Sequence, residues 1–251
     1  MKVLDLPGFT NGYGGLETVR LKDGVPLLLP RHIARLRRTC AFLGLDWTMD
    51  EDLLREQIAT LIAEEGCRDG RLNIYVSALT LTGSGTDTVL RMRPLPDAIP
   101  FSLSLYDEDR ERPAFFAHKT MATAIHWAPF PLLSMGTDVL KFSPSGQLLE
   151  TRFATVFLYV NGRWVTPGNA YIVPGITRGW LLDYLPQFTA ESALTRADLA
   201  EAEDIFVCNA IRGIQTVIRV EGYPHLKSGA HTDDVRRFYE AARATGFDAF
   251  P

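Results

Sequence analysis

Two tight-turn signals, set apart by a charged, proline-ended stretch, do most to limit what this chain can fold into. Lys22-Asp23-Gly24 stands between the alternating segments Glu17–Leu21 and Val25–Leu29. Asn161-Gly162 stands between Thr155–Val160 and Arg163–Val165. Asp-Gly and Asn-Gly favour the left-handed backbone of a two-residue hairpin loop, so each half is predicted to hold a hairpin. Asp107-Glu108-Asp109-Arg110-Glu111-Arg112-Pro113 separates the halves and reads as a linker. Helical patterns interrupt the strands on both sides of it. That mixture predicts an α+β chain, not a doubly wound parallel sheet. The expected domains are residues 1–106 and 114–251, joined by 107–113.

In the first half, Leu36, Cys40 and Leu43 fall on one face of a predicted helix Arg31–Leu43, which Gly44 can close. Thr48-Met49-Asp50-Glu51 resembles a capping box for a second helix, with Leu54, Ile58, Leu61 and Ile62 as its buried stripe. Strands are expected at Arg71–Leu81 and Thr88–Met92, around Gly83-Ser84-Gly85, and at Phe101–Tyr106. The second half opens with a helical pattern over Met121–Leu133 that Pro129 and Pro131 shorten or bend. Strands are expected at Asp138–Phe142, Gln147–Thr151, Asp204–Cys208 and Gln215–Val220. Helices are expected at Thr177–Tyr184, after the capping sequence Thr195-Arg196-Ala197-Asp198, and at Thr232–Ala244.

Composition excludes several classes. Of 251 residues, 46% are hydrophobic and 22% charged, which suits a folded domain and argues against disorder. A net charge of −4 gives no reason to expect nucleic-acid binding, and Arg31, Arg35, Arg37 and Arg38 read as one charged helix face. The 3 cysteines are widely spaced, which disfavours a disulfide framework or a metal site and suits a reducing compartment. No apolar run approaches the ~20 residues a membrane span needs. Met1-Lys2-Val3-Leu4-Asp5 turns acidic too early for a signal peptide, so a cytoplasmic protein without metal is expected.

Chemistry concentrates in a few places. Lys119 lies among Phe115, Phe116, Met121 and Ala122, apolar neighbours that favour partial burial and a nucleophilic amine. Glu150 ends Gln147-Leu148-Leu149-Glu150 after a glycine turn. Pro174-Gly175-Ile176-Thr177-Arg178 reads as a helix start, whose free N–H groups make an anion site. An amine, a carboxylate and an anion site are what an aldehyde cofactor with a pyridine ring and a phosphate requires. His32 and Arg35 share a helix face, and a guanidinium can hold a phosphate bidentately. Thr18 alternates with Glu17 on the first strand. Each residue also has a plainer reading: a surface lysine, a strand-end glutamate facing water, a capped helix, a solvated arginine, a β-branched strand residue.

Taken together, Gly14-Gly15-Leu16-Glu17-Thr18-Val19-Arg20, His32-x-x-Arg35-Leu36, His118-Lys119-Thr120, Gly146-x-x-x-Glu150-Thr151 and Gly175-Ile176-Thr177-Arg178 resemble the fold-type IV pyridoxal-phosphate enzymes. That group includes D-amino-acid and branched-chain aminotransferases and aminodeoxychorismate lyases. The resemblance runs from about Gly12 to Val217. It implies a two-domain, D-amino-acid aminotransferase-like fold with pyridoxal 5'-phosphate between the domains, a homodimer, and a small amine or amino-acid substrate. It implies that Lys119 binds the cofactor aldehyde and later moves a proton, and that Glu150 pairs with the pyridine nitrogen. Arg35, Ile176 and Thr177 would bind the phosphate. Asn209-Ala210 matches a second phosphate loop, where Ala210 can offer only its backbone N–H.

Leu16-Glu17-Thr18 places a threonine where similar lyases use one for proton transfer, and Val207-Cys208-Asn209-Ala210-Ile211 also resembles the lyase segment. The implied reaction converts 4-amino-4-deoxychorismate to 4-aminobenzoate and pyruvate, with Lys119 and Thr18 as catalytic residues. An aminotransferase using the same Lys119 and Glu150 is the alternative, and a relative that kept the fold as a binding protein is the third. The chain departs from similar lyases at Ala122 and Thr155, where they carry asparagine. Thr82-Gly83-Ser84-Gly85-Thr86 replaces their Arg-Gly turn, leaving Arg91 or Arg93 as substitutes for its carboxylate contacts.

Overall fold

The computed structural model describes residues 5–97, 99–127, 136–168, 170–191 and 193–247. It divides the chain into two units, one of residues 1–96 with 118–128 and one of 97–117 with 129–251. This differs from the expected 1–106, 107–113 and 114–251. Phe101–Asp107 pairs in parallel with strands of the second unit, so 97–117 belongs there and is no linker. Thr120 bridges Gly15, which returns the stretch from His118 to the first unit.

The first unit holds α1 (Pro7–Asn11), β1 (Gly14–Lys22), β2 (Val25–Pro26), α2 (Leu29–Phe42), α3 (Glu51–Glu65), β3 (Gly70–Ala78), β4 (Thr86–Arg93) and α4 (Ala124–Trp127). Its sheet has the order β2-β1-β3-β4, antiparallel throughout. The expected hairpin forms, with Asp23 at φ 53° and Gly24 at φ 83°. Its second strand is only Val25–Pro26, because Leu28 turns left-handed at φ 52° and Leu29-Pro30 opens α2. Proline at the first helical positions loses no bond there, which explains the early start. The cap of α3 is Asp50, which accepts from Asp52 N and Leu53 N, and not Thr48. Alternation along β1 and β3 sends Val19, Leu21, Leu72, Ile74 and Val76 into a core with Ile33, Leu36, Cys40, Leu54 and Ile58. Leu61 and Ile62 are only partly buried. The expected strand Arg71–Leu81 stops at Ala78. The expected helix Met121–Leu133 is α4 alone within its described part, and residues 128–133 lie outside the described residues.

The second unit holds β5 (Phe101–Asp107), β6 (Thr137–Phe142), β7 (Thr155–Val160), β8 (Arg163–Pro167), α5 (Ile176–Tyr184), β9 (Phe188–Glu191), α6 (Arg196–Glu201), β10 (Asp204–Asn209), β11 (Gly213–Val220) and α7 (Ala230–Ala244). Its mixed sheet has the order β6-β5-β11-β10-β7-β8-β9. The central strands are buried on both faces. Val156, Leu158, Ile205 and Val207 join one core with Leu103, Leu140 and Leu199. Phe157 stacks on Phe206 at 4.9 Å among the opposite-facing aromatics. Thr195 and Asp198 make the expected capping box of α6. Gln147–Thr151 is not a strand. Leu148 forms an isolated bridge to Phe142, and Glu150 O accepts from Lys141 N at 3.1 Å. Four helices and an antiparallel sheet in the first unit, with a mixed sheet and helices in the second, make the chain α+β as expected.

Candidate active site

In the first unit, β1 and α2 build a buried ionic cluster. Glu17 sits on the core face of β1, fully buried, among Val19 and Leu21. Its Oε1 accepts from Arg35 Nε at 2.7 Å and its Oε2 from Arg35 Nη2 at 2.7 Å. His32 Nδ1 lies 2.6 Å from the same Oε2. One helical turn separates His32 from Arg35, which is why both reach one carboxylate. Burial alone would raise the Glu17 pKa, but the charges of Arg35 and then His32 overcome it and hold it at about 2. Burial pushes the His32 imidazole down, against the pull of Glu17, and the charges of Arg35 and Lys119 push the same way. Arg35 therefore has its Nε–Nη2 edge committed to Glu17, a partner the sequence reading did not foresee.

Lys119 is fixed by main-chain pairing to β1. Its carbonyl accepts from Leu16 N at 2.9 Å, and Met121 N donates to Gly14 O at 2.8 Å. Thr18 follows two residues after Leu16 on that strand, half-buried. Ala122 meets Gly12, whose φ is 72° and where an added Cβ would come within 2.9 Å of Ala122 Cα. That close approach accounts for two small residues facing each other. His118 stacks on Phe42 at 3.9 Å, a packing role.

In the second unit, Glu150 is buried at 6% exposure. Its Oε1 accepts from Arg112 Nη1 at 2.7 Å and its Oε2 from Val173 N at 3.3 Å. Arg112 also holds Glu108, through Nε at 2.9 Å and Nη2 at 2.7 Å. Burial raises the Glu150 pKa, opposed by Arg112 and by the buried Lys141. Arg112 is the functional candidate that sequence reasoning missed. Its signal lay inside the charged stretch taken for a linker.

Ile176 and Thr177 open α5 and are buried, with Gly175 as the cap residue. The Thr177 hydroxyl lies 3.3 Å from Tyr239 OH. A Cβ on Gly175 would stand 2.7 Å from Thr155 Oγ1, so Thr155 packs directly on the helix start. Asn209 Oδ1 accepts from Ile211 N at 3.1 Å and Arg212 N at 2.9 Å. Its side chain thereby shapes the turn that carries Ala210. Thr18, Arg35 and Lys119 thus belong to the first unit, and Glu150, Ile176, Thr177, Asn209 and Ala210 to the second.

These groups suit the cofactor that the resemblance implies. A protonated pyridine nitrogen needs a buried anionic acceptor, and Glu150 is one whose geometry Arg112 and Val173 N fix. A phosphate needs convergent donors, and the start of α5 meets that need with a residue that has no Cβ in the way.

Residues 14–220 match the family model of class IV amino-transferases. The chain is 24% identical to a D-alanine aminotransferase of Listeria monocytogenes over 268 aligned positions, covering 95% of this chain and 90% of that one. The crystal structure of 4-amino-4-deoxychorismate lyase from Pseudomonas aeruginosa superposes with a TM-score of 0.82 at 24% identity, covering 96% and 94% of the two chains. A branched-chain aminotransferase of Thermoproteus uzoniensis gives 0.86 at 16% identity, covering 100% and 92%. The fold is therefore that of the fold-type IV enzymes. With most of its length matched, the chain belongs to the class IV aminotransferase family and is a pyridoxal-phosphate-dependent enzyme acting on small amino compounds.

Proposed function

We propose that this enzyme is a lyase that converts 4-amino-4-deoxychorismate to 4-aminobenzoate and pyruvate. The observation that carries the reading is the placement of Thr18 on β1, two residues beyond the Leu16 that is hydrogen-bonded to the Lys119 carbonyl. A hydroxyl and an amine held on one rigid edge can serve as separate proton carriers.

When bound, pyridoxal phosphate supplies an electron sink conjugated to the substrate nitrogen. Lys119 would hold the cofactor through its side-chain amine, and that amine would take the proton from the substrate ring carbon bearing the nitrogen. Thr18 donates a proton to the departing enolpyruvyl group, which leaves as pyruvate while the ring becomes aromatic. Glu150 would hold the pyridine nitrogen, with Arg112 fixing the carboxylate's position. Ile176, Thr177 and Ala210 would hold the phosphate through their backbone N–H groups, and Asn209 holds the turn that carries Ala210. Arg35 would add its guanidinium to that phosphate site, with Glu17 fixing its orientation. We also propose a cytoplasmic homodimer, on the resemblance to the family. Among the described residues no helix is long and apolar enough to cross a membrane.

The near full-length match to a D-alanine aminotransferase supports a second reading, in which the same lysine and glutamate serve amino-group transfer. One experiment separates them. Purified protein is expected to show a visible absorption band that borohydride removes and that Lys119→Ala lacks. Incubation with 4-amino-4-deoxychorismate and no keto acid is expected to release pyruvate. Conversion of the cofactor to its amine form by D-alanine, without pyruvate from the chorismate analogue, would make the enzyme an aminotransferase.

A further inference from the structure

Lys141 stands near the end of β6 and is buried, at 2% exposure. Its neighbours Leu140 and Phe142 point into one core of the sheet, so strand alternation turns Lys141 to the opposite face. Two carboxylate-bearing segments flank it. On one side its carbonyl accepts from Leu149 N at 2.8 Å, and its N–H donates to Glu150 O at 3.1 Å. On the other side β5 runs parallel with Tyr106 opposite Lys141, and just beyond it Glu108 N donates to Phe142 O at 2.9 Å. Arg112 ties the two segments together, binding Glu150 through Nη1 and Glu108 through Nε and Nη2. Lys141 lies between the same two segments, on the strand they share.

With Arg112 alone, Glu108 and Glu150 would set two negative charges against one positive. Two carboxylates sharing one cation away from water do not both stay ionised. Arg112 gives two of its nitrogens to Glu108 and only one to Glu150, so Glu150 is the carboxylate that would take the proton. Lys141 supplies the second cation and brings the four charges to neutrality. The next carboxylate, Asp138, is already matched by Arg152 Nε at 2.9 Å. Burial and the charge of Arg112 push the Lys141 amine down, while Glu150, Glu108 and Asp138 pull it back up. Burial raises the Glu150 pKa, and after Arg112 it is Lys141 that lowers it. Along the chain, Leu140-Lys141-Phe142 is an ordinary alternating stretch of strand, and only the fold shows this lysine buried.

We infer that Lys141 is a positioning residue that keeps Glu150 ionised in the empty site and limits how tightly the loaded site holds the proton of the pyridine nitrogen. The inference rests on the assignment of Glu150 to that nitrogen. In the empty site Lys141 completes a neutral cluster, so the carboxylate stands ready as an acceptor. When a protonated ring faces Glu150, the cluster gains a third cation, and the charge of Lys141 opposes it. Lys141 acts through Glu150 and sets the strength of the electron sink without contact with the ring.

The test compares Lys141→Met, Lys141→Arg, Glu108→Gln and the double variant of Lys141→Met with Glu108→Gln. Each is loaded with pyridoxal 5'-phosphate labelled at the ring nitrogen, and nitrogen NMR follows that atom's protonation against pH. In Lys141→Met the ring nitrogen is expected to keep its proton to a pH about one unit higher than in the parent. Glu108→Gln should shift it the opposite way, and Lys141→Arg, which keeps the charge, should stay near the parent. The double variant removes one charge of each sign, so it should return close to the parent. The cofactor-free chain gives a second reading. The folded pKa of Glu150 lies above the unfolded 4.5, so stability falls as pH rises from 4.5 through the folded value. Urea denaturation of Lys141→Met should carry that fall to higher pH, and Glu150→Gln in the same chain should abolish it. A Lys141→Met protein that matches the parent in both measurements, or that loses stability equally at every pH, overturns the inference. So does a double variant whose losses add. If Lys141→Met does not fold, the double variant decides: folding restored by Glu108→Gln supports the charge balance, and no rescue overturns it. An unmoved ring nitrogen in Glu150→Gln would overturn the assignment of Glu150 itself, an outcome the cofactor-free denaturation does not share.

Discussion

Arg112 holds two carboxylates at once, with Nη1 2.7 Å from Glu150 Oε1 while Nε and Nη2 grip Glu108. Removing it leaves Glu150 buried beside Lys141 with only a backbone donor at 3.3 Å. Breaking a buried pair from one side costs about 3–5 kcal/mol. Arg112→Met is therefore expected to lower the urea midpoint sharply and to raise the Glu150 pKa further. A denaturation curve that overlays the parent's would show that the pair contributes nothing.

Glu17 gives the protein a defined acid sensitivity. Its pKa falls from 4.5 to about 2 on folding, so its stabilisation is complete above 4.5 and is lost as pH drops from 4.5 toward 2. The shift corresponds to an order of about 3 kcal/mol. Glu17→Gln should reduce stability at neutral pH and flatten the pH dependence within that window. Chemical denaturation at several pH values checks both, and an unaltered slope below pH 4.5 would rule the assignment out.

Gly175→Ala adds a Cβ 2.7 Å from Thr155 Oγ1. Overpacking of this kind costs about 1–3 kcal/mol. The same change should weaken pyridoxal phosphate binding, because α5 must shift to relieve the contact. Thr155→Ala in the same chain removes the obstructing hydroxyl, so the double variant is expected to recover most of the loss. Additive effects in that double-mutant cycle would contradict the contact.

Thr18→Val keeps the shape and the β-branch of a half-buried strand residue but removes its hydroxyl. Stability and the visible cofactor band should stay close to the parent's. Pyruvate release from 4-amino-4-deoxychorismate should fall by roughly a hundredfold or more in kcat, the range general acids supply. A variant as fast as the parent would remove Thr18 from the mechanism.

Local chemistry determined much of this molecule before any contact was known. Asp23-Gly24 and Asn161-Gly162 fix their hairpins because few sequences tolerate positive φ at those positions, here 83° at Gly24 and 78° at Gly162. The capping box of α6 and the stripe Leu36–Cys40 are equally local, and so are legible. The candidate residues for the cofactor could be named from order and spacing along the chain, because the lysine, the glutamate and the Gly-Ile-Thr-Arg helix start each carry a short signature.

What remained hidden depends on residues far apart in sequence. Nothing around Phe101–Tyr106 says that it pairs with β11 rather than with the strands before it, so the expected domain boundary was misplaced. The cap of α7 is supplied by Asp204 on β10, which accepts from Thr232 N at 3.0 Å and Gly229 N at 2.9 Å. The Glu17 that takes the Nε–Nη2 edge of Arg35 lies 18 positions before it on another element, and Arg112 reads as linker until Glu150 arrives from 38 positions away. The sequence by itself determined the turns, the caps, the periodic faces and the family. Strand register, and with it the partner of every buried charge, was decided only by the tertiary structure, because an ion pair depends on distance in space.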